Sequence, residues 1–575
     1  MSKENFVNPK WYRTLVRGRL VQRSGLTVGG AIQDPVGSDL QCHRDGQGRL
    51  TIPGTSLAGA LVETASRICP ELVDARPDVS LHENYVDNDL DRLTGKSREG
   101  KHGTKSPSTD EAAFYQSLWY FYPCHMAKGH SVEQRQGVGI RQMTGATAIE
   151  QRALFDHEVI PVGTAWDFLL EIDTSRTTPR AEALTLLALL EWAQDRCWLG
   201  ASAARGTGWA SLEGIEIVRI PLTIDGVEAW PTNGQRTQEG LWKYAVAIPG
   251  TEIIAGDDRI HALAMSVFSR ELSARRFWYL TIDATLVAGM RGNGYGLDAF
   301  SVGGHNAELY APLPEFLVTP HGQDQQVFRR KYQEEADARV ITTRRQLVPQ
   351  AANTQPADEP YLPGSGLRGP LRHATSRRAR GGSSTDPGIP DPNQTGATEA
   401  SADAVSQLFG LVGHSSRLLL RDAMLVPVHD DDDGAPFRLA WFQHHAEDEF
   451  TGGVYESSKY DRTAVIEGSF ELRLVIEAAS PAELLTHAQT LYPTLKLAEL
   501  GHVPIGRGKW GGLGWIPWKF TSVHVAQAGD ASTENSAPPA SADIEARMRE
   551  ALAHVPRPDD KVNAQQGDSA DVTAG

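Results

Sequence analysis

Cysteine is scarce in this chain, and the four present, Cys42, Cys69, Cys124 and Cys197, stand far apart with no C-x-x-C spacing. That excludes a zinc ribbon and a disulfide framework, and a reducing cytoplasm is the expected compartment. The pairs Cys42-His43 and Cys124-His125 are adjacent residues, which diverge in direction, so buried or incidental thiols are preferred to a metal site. No run approaches the roughly 18 consecutive apolar residues of a membrane helix, and the opening MSKENFVNPKWYRTLVRGRL lacks the apolar centre of a signal peptide. A membrane-spanning or secreted protein is not expected. Positive charge is also short: Lys+Arg 56 against Asp+Glu 72 leaves a net charge of -16. This argues against a wholly basic nucleic-acid coat but leaves a local basic groove open.

What is present is ordinary globular composition, 40% hydrophobic and 22% charged, over 575 residues. A chain of that length exceeds what one hydrophobic core supports, so two or more domains are expected. From about Gln527 onward, Ala, Ser, Pro and Asp dominate, and 527–575 reads as a disordered acidic tail with one short helix around 544–553.

The remainder repeats itself. IPGTSLAGAL from Ile52 matches LPGSGLRGPL from Leu362, and Thr144-Gly145 matches Thr451-Gly452. Gly163 in EVIPVGTAWDFLLEI then matches Gly468 in TAVIEGSFELRLVI, and Gly208-Trp209 matches Gly514-Trp515. All four pairs lie in the same order at offsets of 305 to 310 residues. Two homologous domains in tandem follow, 1–225 and 271–526, joined by a linker or insertion at 226–270. Within each, strand-length apolar segments such as WDFLLEI and FELRLVI alternate with two segments of helical periodicity. The expected fold class is therefore α+β, two tandem ferredoxin-like units with helices on one sheet face and with insertions.

Several residues carry chemistry. Each P-G-[ST] turn feeds a helix, whose first amides and dipole suit a phosphate, with Ser56 or Ser365 as cap. The second copy adds Arg368, Arg372, Arg377, Arg378 and Arg380, a basic run on an acidic background. GRGKWG at 506–511 satisfies the G-x-G-x-x-G expression but leads into a Trp-rich strand where a dinucleotide fold needs a helix. Its Arg507, Lys509 and Trp510 suit a sugar-phosphate chain with a stacked base, and the first-repeat loop offers only Arg205 and Gly206. A nucleotide-cofactor enzyme and a guide-maturation nuclease using His157 or His43 are the rival readings.

The order GLTVGG, an Asp-containing loop, IPGTSLxG, TGA, LFDHEVIPxGT and RGTGW resembles the RAMP superfamily. More narrowly it is similar to the backbone subunits of type III CRISPR effector complexes, and a fused pair looks like the type III-D branch. The resemblance implies an RNA-recognition fold holding a CRISPR guide RNA, with partners that include complementary target RNA and other subunits of the complex. It implies thumb hairpins near 133–148 and 445–458, with Met143, Thr144, Phe450 and Thr451 at their turns. It also implies target cleavage by a loop Asp before the P-G-[ST] helix, which falls on Asp39, with Asp34 and Asp45 as reserves. That carboxylate would hold Mg2+ or another divalent metal, or position the attacking ribose hydroxyl. In the second repeat the nearest candidate is Asp298, at a departing spacing, so that repeat is read as a weaker site or a binding unit. A non-catalytic scaffold of the same complex is the alternative.

Overall fold

The computed structural model describes residues 10–29, 39–70, 117–126, 132–138, 154–177, 179–200, 202–228, 238–268, 272, 275–289, 298–303, 312–344, 358–380, 403–410, 415–426, 435–445, 459–530 and 543–556. The first repeat is built from β1 (Trp11–Gln22), β2 (Thr51–Ile52), α1 (Gly54–Ile68), β3 (Trp119–Phe121) and β4 (Cys124–His125). It continues with β5 (Glu133–Val138), β6 (Leu154–Val159), β7 (Ala165–Ile172), α2 (Pro179–Ala193), β8 (Cys197–Trp198) and β9 (Trp209–Pro221). Four antiparallel strands lie in the order β9-β1-β7-β3, with Gly18 opposite Phe168 and Leu20 opposite Trp166. Numbered along the chain, that is 4-1-3-2 with helices after the first and third strands, the ferredoxin-like arrangement.

The second repeat reproduces it. β11 (Trp278–Ala288), α6 (Gly364–Arg380), β14 (Leu418–Leu420), β17 (Tyr460–Ala478), α8 (Pro481–Glu499) and β18 (Trp518–Gln527) give the order β18-β11-β17-β14. Further strands β12 (Thr342–Arg344) and β13 (Asp358–Pro360) pair with each other, and β15 (Met424–Leu425) and β16 (Phe437–His444) pair with β17. β17 is β6 and β7 run together, with Gly468 at the place of Gly163. Two further helices of this repeat, α5 (Gln325–Glu335) and α7 (Ala404–Phe409), are each capped by an Asp, Asp324 and Asp403.

Alternation on the strands and 3.6-residue spacing on the helices close one core per repeat, centred on Trp166, Phe168 and Trp192 in the first and on Phe300, Phe470 and Trp518 in the second. The first core also takes in Tyr279 and Val475 of the second sheet, so the repeats share a packed seam.

Two segments outside the repeats hold ordered elements. The segment 226–270, read as a linker, holds α3 (Gln238–Ala247), β10 (Glu252–Ala255) and α4 (Asp257–Phe268). β10 extends the first sheet against β9, and Ile260, Ala264 and Phe268 of α4 are buried in the first core. The tail, read as disordered with one short helix around 544–553, holds that helix as α9 (Ile544–Leu552), capped by Asp543, whose Ile544 and Met548 enter the second core while buried Arg547 donates to the Thr521 carbonyl at 2.7 Å.

The seam is closed by glycines. The loop 203–208 of the first repeat lies on the N-terminus of α6, so close that a Cβ on Gly364 would stand 2.6 Å from Gly206 Cα, and one on Gly206 2.1 Å from Asp422 Oδ1. Asp422, wholly buried, accepts from the Gly364 amide at 2.7 Å and from Arg135 of the first repeat at 2.9 Å, while its own amide donates to the Gly206 carbonyl. Arg67–Glu477 at 2.8 Å and Arg473–Asp195 at 3.0 Å tie the repeats elsewhere. Asp422→Ala strands the buried Arg135 charge and the Gly364 amide, and is expected to cost about 3–5 kcal/mol. Urea unfolding read by tryptophan fluorescence checks this, and an unchanged midpoint contradicts it.

Candidate nucleic-acid interface

The two repeats superpose hydrogen bond by hydrogen bond around one loop. In the first, the Glu158 amide donates to the Leu40 carbonyl at 2.9 Å and the Thr27 hydroxyl to the Glu158 carbonyl at 2.8 Å. In the second, the Thr463 amide donates to the Ala338 carbonyl at 3.0 Å and the Ser301 hydroxyl to the Thr463 carbonyl at 2.9 Å. His43 to Val28 and Ile341 to Val302, both 2.7 Å between amide and carbonyl, continue the match. Gly208 to Gly25 at 2.7 Å and Gly514 to Ala299 at 2.6 Å close it. Gly208 and Gly514 are both left-handed, at φ 83° and 84°, and a Cβ on either would sit within about 2 Å of a carbonyl oxygen, Leu199 or Ile505. Glycine is therefore required at the positions that carried the repeat in the sequence.

This register places Asp39. Its amide donates to Asp156 Oδ1 at 3.0 Å, and the Asp156 amide donates back to Asp39 Oδ2 at 3.2 Å, which fixes an exposed loop carboxylate against β6. The second-repeat equivalent is Asp337, whose amide donates to Asp461 Oδ2 at 3.0 Å, Asp461 standing at the place of Asp156. Asp298 is displaced from the role expected of it. It falls where Ser24 stands in the first repeat and is 1% exposed, whereas Asp337 is exposed like Asp39. Sequence reasoning missed Asp337 because it stands 25 residues before Leu362, where Asp39 stands 13 before Ile52, which gives it an offset of 298 residues. The surviving signal was a short polar-acidic-apolar match, SDLQCH against ADARVI, too weak to find unaided. Of the reserves, Asp45 is a turn residue: it accepts from the Gln47 and Arg49 amides and from the Arg49 side chain, which hold its carboxyl down to about 2. Asp34 lies outside the described residues.

The basic residues separate by burial. Arg368 belongs to the seam: it donates to the Ala204, Leu418 and Phe409 carbonyls and to the Ser416 hydroxyl, and lies over the Phe409 ring. Burial, with Arg372 and Arg205 beside it, lowers it to about 10. Gly206 is likewise buried in the seam. Ser56 caps nothing, because Pro53 is the N-cap of α1 and no side chain bonds there. Ser365 is exposed in the first turn of α6, where the Gly364 amide is already held by Asp422. The first repeat has Pro123 where the second has Asp422, the strand pairs Ile52–Cys124 and Leu362–Ala423 fixing the correspondence.

The others converge. Arg205 is exposed beside Arg368, and Arg372 and Arg377 follow along α6. Burial and the Arg377 charge lower Lys509, and burial, Arg377 and Lys509 together lower His373, so these cations crowd one another at the far end of the helix. A basic track thus follows α6, about 25 Å long, from the first-repeat glycine loop to the second-repeat one. Arg507 is exposed and donates to the Gly303 carbonyl at 3.1 Å. The Trp510 side chain and the thumb residues Met143, Thr144, Phe450 and Thr451 lie outside the described residues, though the stems β5–β6 and β16–β17 that lead to them are formed. The 506–511 loop closes as a single tight turn before β18 and opens no helix, which removes the dinucleotide reading.

A family model, the RAMP superfamily, matches residues 23–211 and 304–516, one stretch in each repeat. The chain belongs to the RAMP superfamily. It carries two fused RAMP copies, which makes it a CRISPR-associated RNA-binding subunit. Among curated proteins none matches. No described helix of this RAMP protein is long and apolar enough to cross a membrane.

His157 bears on the loop's chemistry. Burial, then Arg135 and Arg205, hold its imidazole down to about 4, so it is neutral near pH 7. The unfolded chain takes up a proton near the ordinary value of 6.5 that the folded chain refuses. Stability from this group is complete above that value and is lost as pH falls from about 6.5 toward 4. His157→Gln is expected to flatten that part of the urea-midpoint profile, and parallel profiles for both proteins contradict the assignment.

Proposed function

We propose that this RAMP protein is a guide-holding backbone subunit of a type III effector complex, and that Asp39 and Asp337 serve cleavage of the paired target RNA. The observation that carries the reading is the shared placement of the two aspartates: each is exposed, with its amide held at 3.0 Å by a carboxylate of the strand that leads to the thumb. The basic track along α6 holds the guide by its phosphates, a grip independent of base sequence.

The nucleophile is the target's own ribose 2′-hydroxyl, attacking the adjacent phosphorus in line and expelling the 5′-oxygen of the next nucleotide. What the protein contributes is position. A carboxylate pinned by its own backbone orients that hydroxyl, or a hydrated cation, at a fixed distance from the seam. Among the described residues no group of three or more His, Cys, Asp or Glu side chains forms a metal cage. Mg2+ does not need one, since it takes one or two carboxylates, waters and substrate phosphates, and Asp39 beside Asp156 fits that demand. Bound there, the ion would neutralise charge developing on the scissile phosphate. His157, held neutral, and Arg205 flank the loop on the thumb-stem side.

Asp39→Ala, in complex reconstituted with guide and partners, is expected to abolish one product set on a denaturing gel by at least about 10²-fold while another persists. Asp337→Ala is expected to do the converse, with guide RNA retained in both. Wild-type products from the Asp39 variant would make that residue a turn carboxylate and the subunit a scaffold.

A further inference from the structure

The repeats differ in the pocket beside this loop. In the second repeat a cavity is lined by Ser301, Gly303, Ala338, Tyr460, Asp461 and three arginines, Arg339, Arg462 and Arg507. The hydrogen-bond register gives each arginine a first-repeat counterpart: Gln41 for Arg339, His157 for Arg462 and, by the 306-residue offset of the glycine loop, Ala201 for Arg507. In sequence, three arginines thus stand where the first repeat has glutamine, a neutral histidine and alanine, the last outside the described residues. The one anionic lining residue is common to both repeats, as Asp461 and Asp156, and in the second its charge is turned inward. Asp461 accepts from the Asp337 and Ala338 amides, both at 3.0 Å, and from Trp441 Nε1 at 2.5 Å.

Two further features fix what such a pocket takes. Arg462 reaches over the glycine loop, its Nη1 lying 2.1 Å from where a Cβ on Gly508 would stand, so a side chain there would displace the guanidinium. At the mouth, the Tyr460 ring is 45% exposed and stacks on His444, centroids 5.1 Å apart at 21°. Burial and the Arg462 charge keep His444 below its ordinary value. A planar stack next to a pocket lined by three arginines, of which Arg339 donates to the Gln333 carbonyl and Arg507 to the Gly303 carbonyl, suits a nucleotide unit, with phosphate in the pocket and base on the ring.

We propose that the Arg339–Arg462–Arg507 pocket binds one backbone phosphate of RNA with the neighbouring base on Tyr460, and that this grip belongs to the second repeat alone. The proposal rests on the RNA-binding reading above. It also makes the second repeat the tighter-binding half of a chain whose halves share a fold.

The test uses the full chain and a fluorescent single-stranded RNA, titrated at several salt concentrations. Arg339→Gln/Arg462→Gln is expected to weaken binding by about tenfold or more and to reduce the slope of log K against log salt by about 0.7, one released phosphate contact. Tyr460→Ala is expected to weaken binding several-fold with the slope unchanged, since it removes stacking and no charge. Gln41→Ala in the first repeat, at the place of Arg339, should change neither. Thermal melts matching wild type certify that the variants fold. Wild-type affinity and slope in the double variant overturn the proposal while leaving the RNA-binding reading intact. Failure of the wild-type chain to bind RNA overturns both. If inorganic phosphate raises the melting temperature of wild type but not of the double variant, while the two bind RNA alike, the pocket is a free-anion site and the proposal is wrong.

Discussion

Everything here hangs on the contact of Gly206 with Gly364. Two backbones meet at a distance no side chain permits, and Asp422 fills the remaining hydrogen-bonding need of both while neutralising Arg135 beneath them. Burying that aspartate is tolerable only because its partners are complete. The consequence reaches function directly, since the first-repeat glycine loop and the second-repeat helix N-terminus, each a plausible phosphate cradle in isolation, are used up on each other. What the seam leaves, exposed Arg205 at one end and Arg377 with half-buried Lys509 at the other, with half-buried Arg372 near Arg368 between them, becomes a track along α6. A chain of net charge -16 can bind RNA because its cations are concentrated there.

The tandem architecture was legible from the sequence because the residues that betray it are backbone requirements. Gly208 and Gly514 are left-handed and pressed on carbonyl oxygens, so neither could drift, and their constant offset advertised the repeat. The strands and helices followed from periodicity. The site was harder to read for two physical reasons. Arginines in one run look alike in sequence, yet Arg368 is spent on three carbonyls and a hydroxyl while Arg372 and Arg377 lie along the track. A longer stretch between Asp337 and the P-G-S turn, 25 residues against 13, took that aspartate out of register and left Asp298, a carboxylate packed at the place of Ser24, as the candidate. The short helix in the tail was legible from its spacing, whereas the apolar stripe of α4, in the segment read as a linker or insertion, was not.

Fusion gives the repeats freedom to diverge. Both keep the carboxylate-pinned loop, Asp39 on Asp156 and Asp337 on Asp461, because that contact sets backbone geometry. Around it the chemistry separates: a neutral His157 in one copy, three guanidiniums in the other. Equal folds with unequal charge suit a subunit in which one half grips and both halves position.

The central claim, that RNA follows α6 from one glycine loop to the other, is most directly tested by ultraviolet cross-linking of the RNA bound to the full chain, with mass-spectrometric mapping of the adducts. The account predicts adducts on peptides containing Arg205, Arg372 to Arg377, Lys509 and Tyr460. Adducts confined to peptides of α3, β10 and α9 would contradict it.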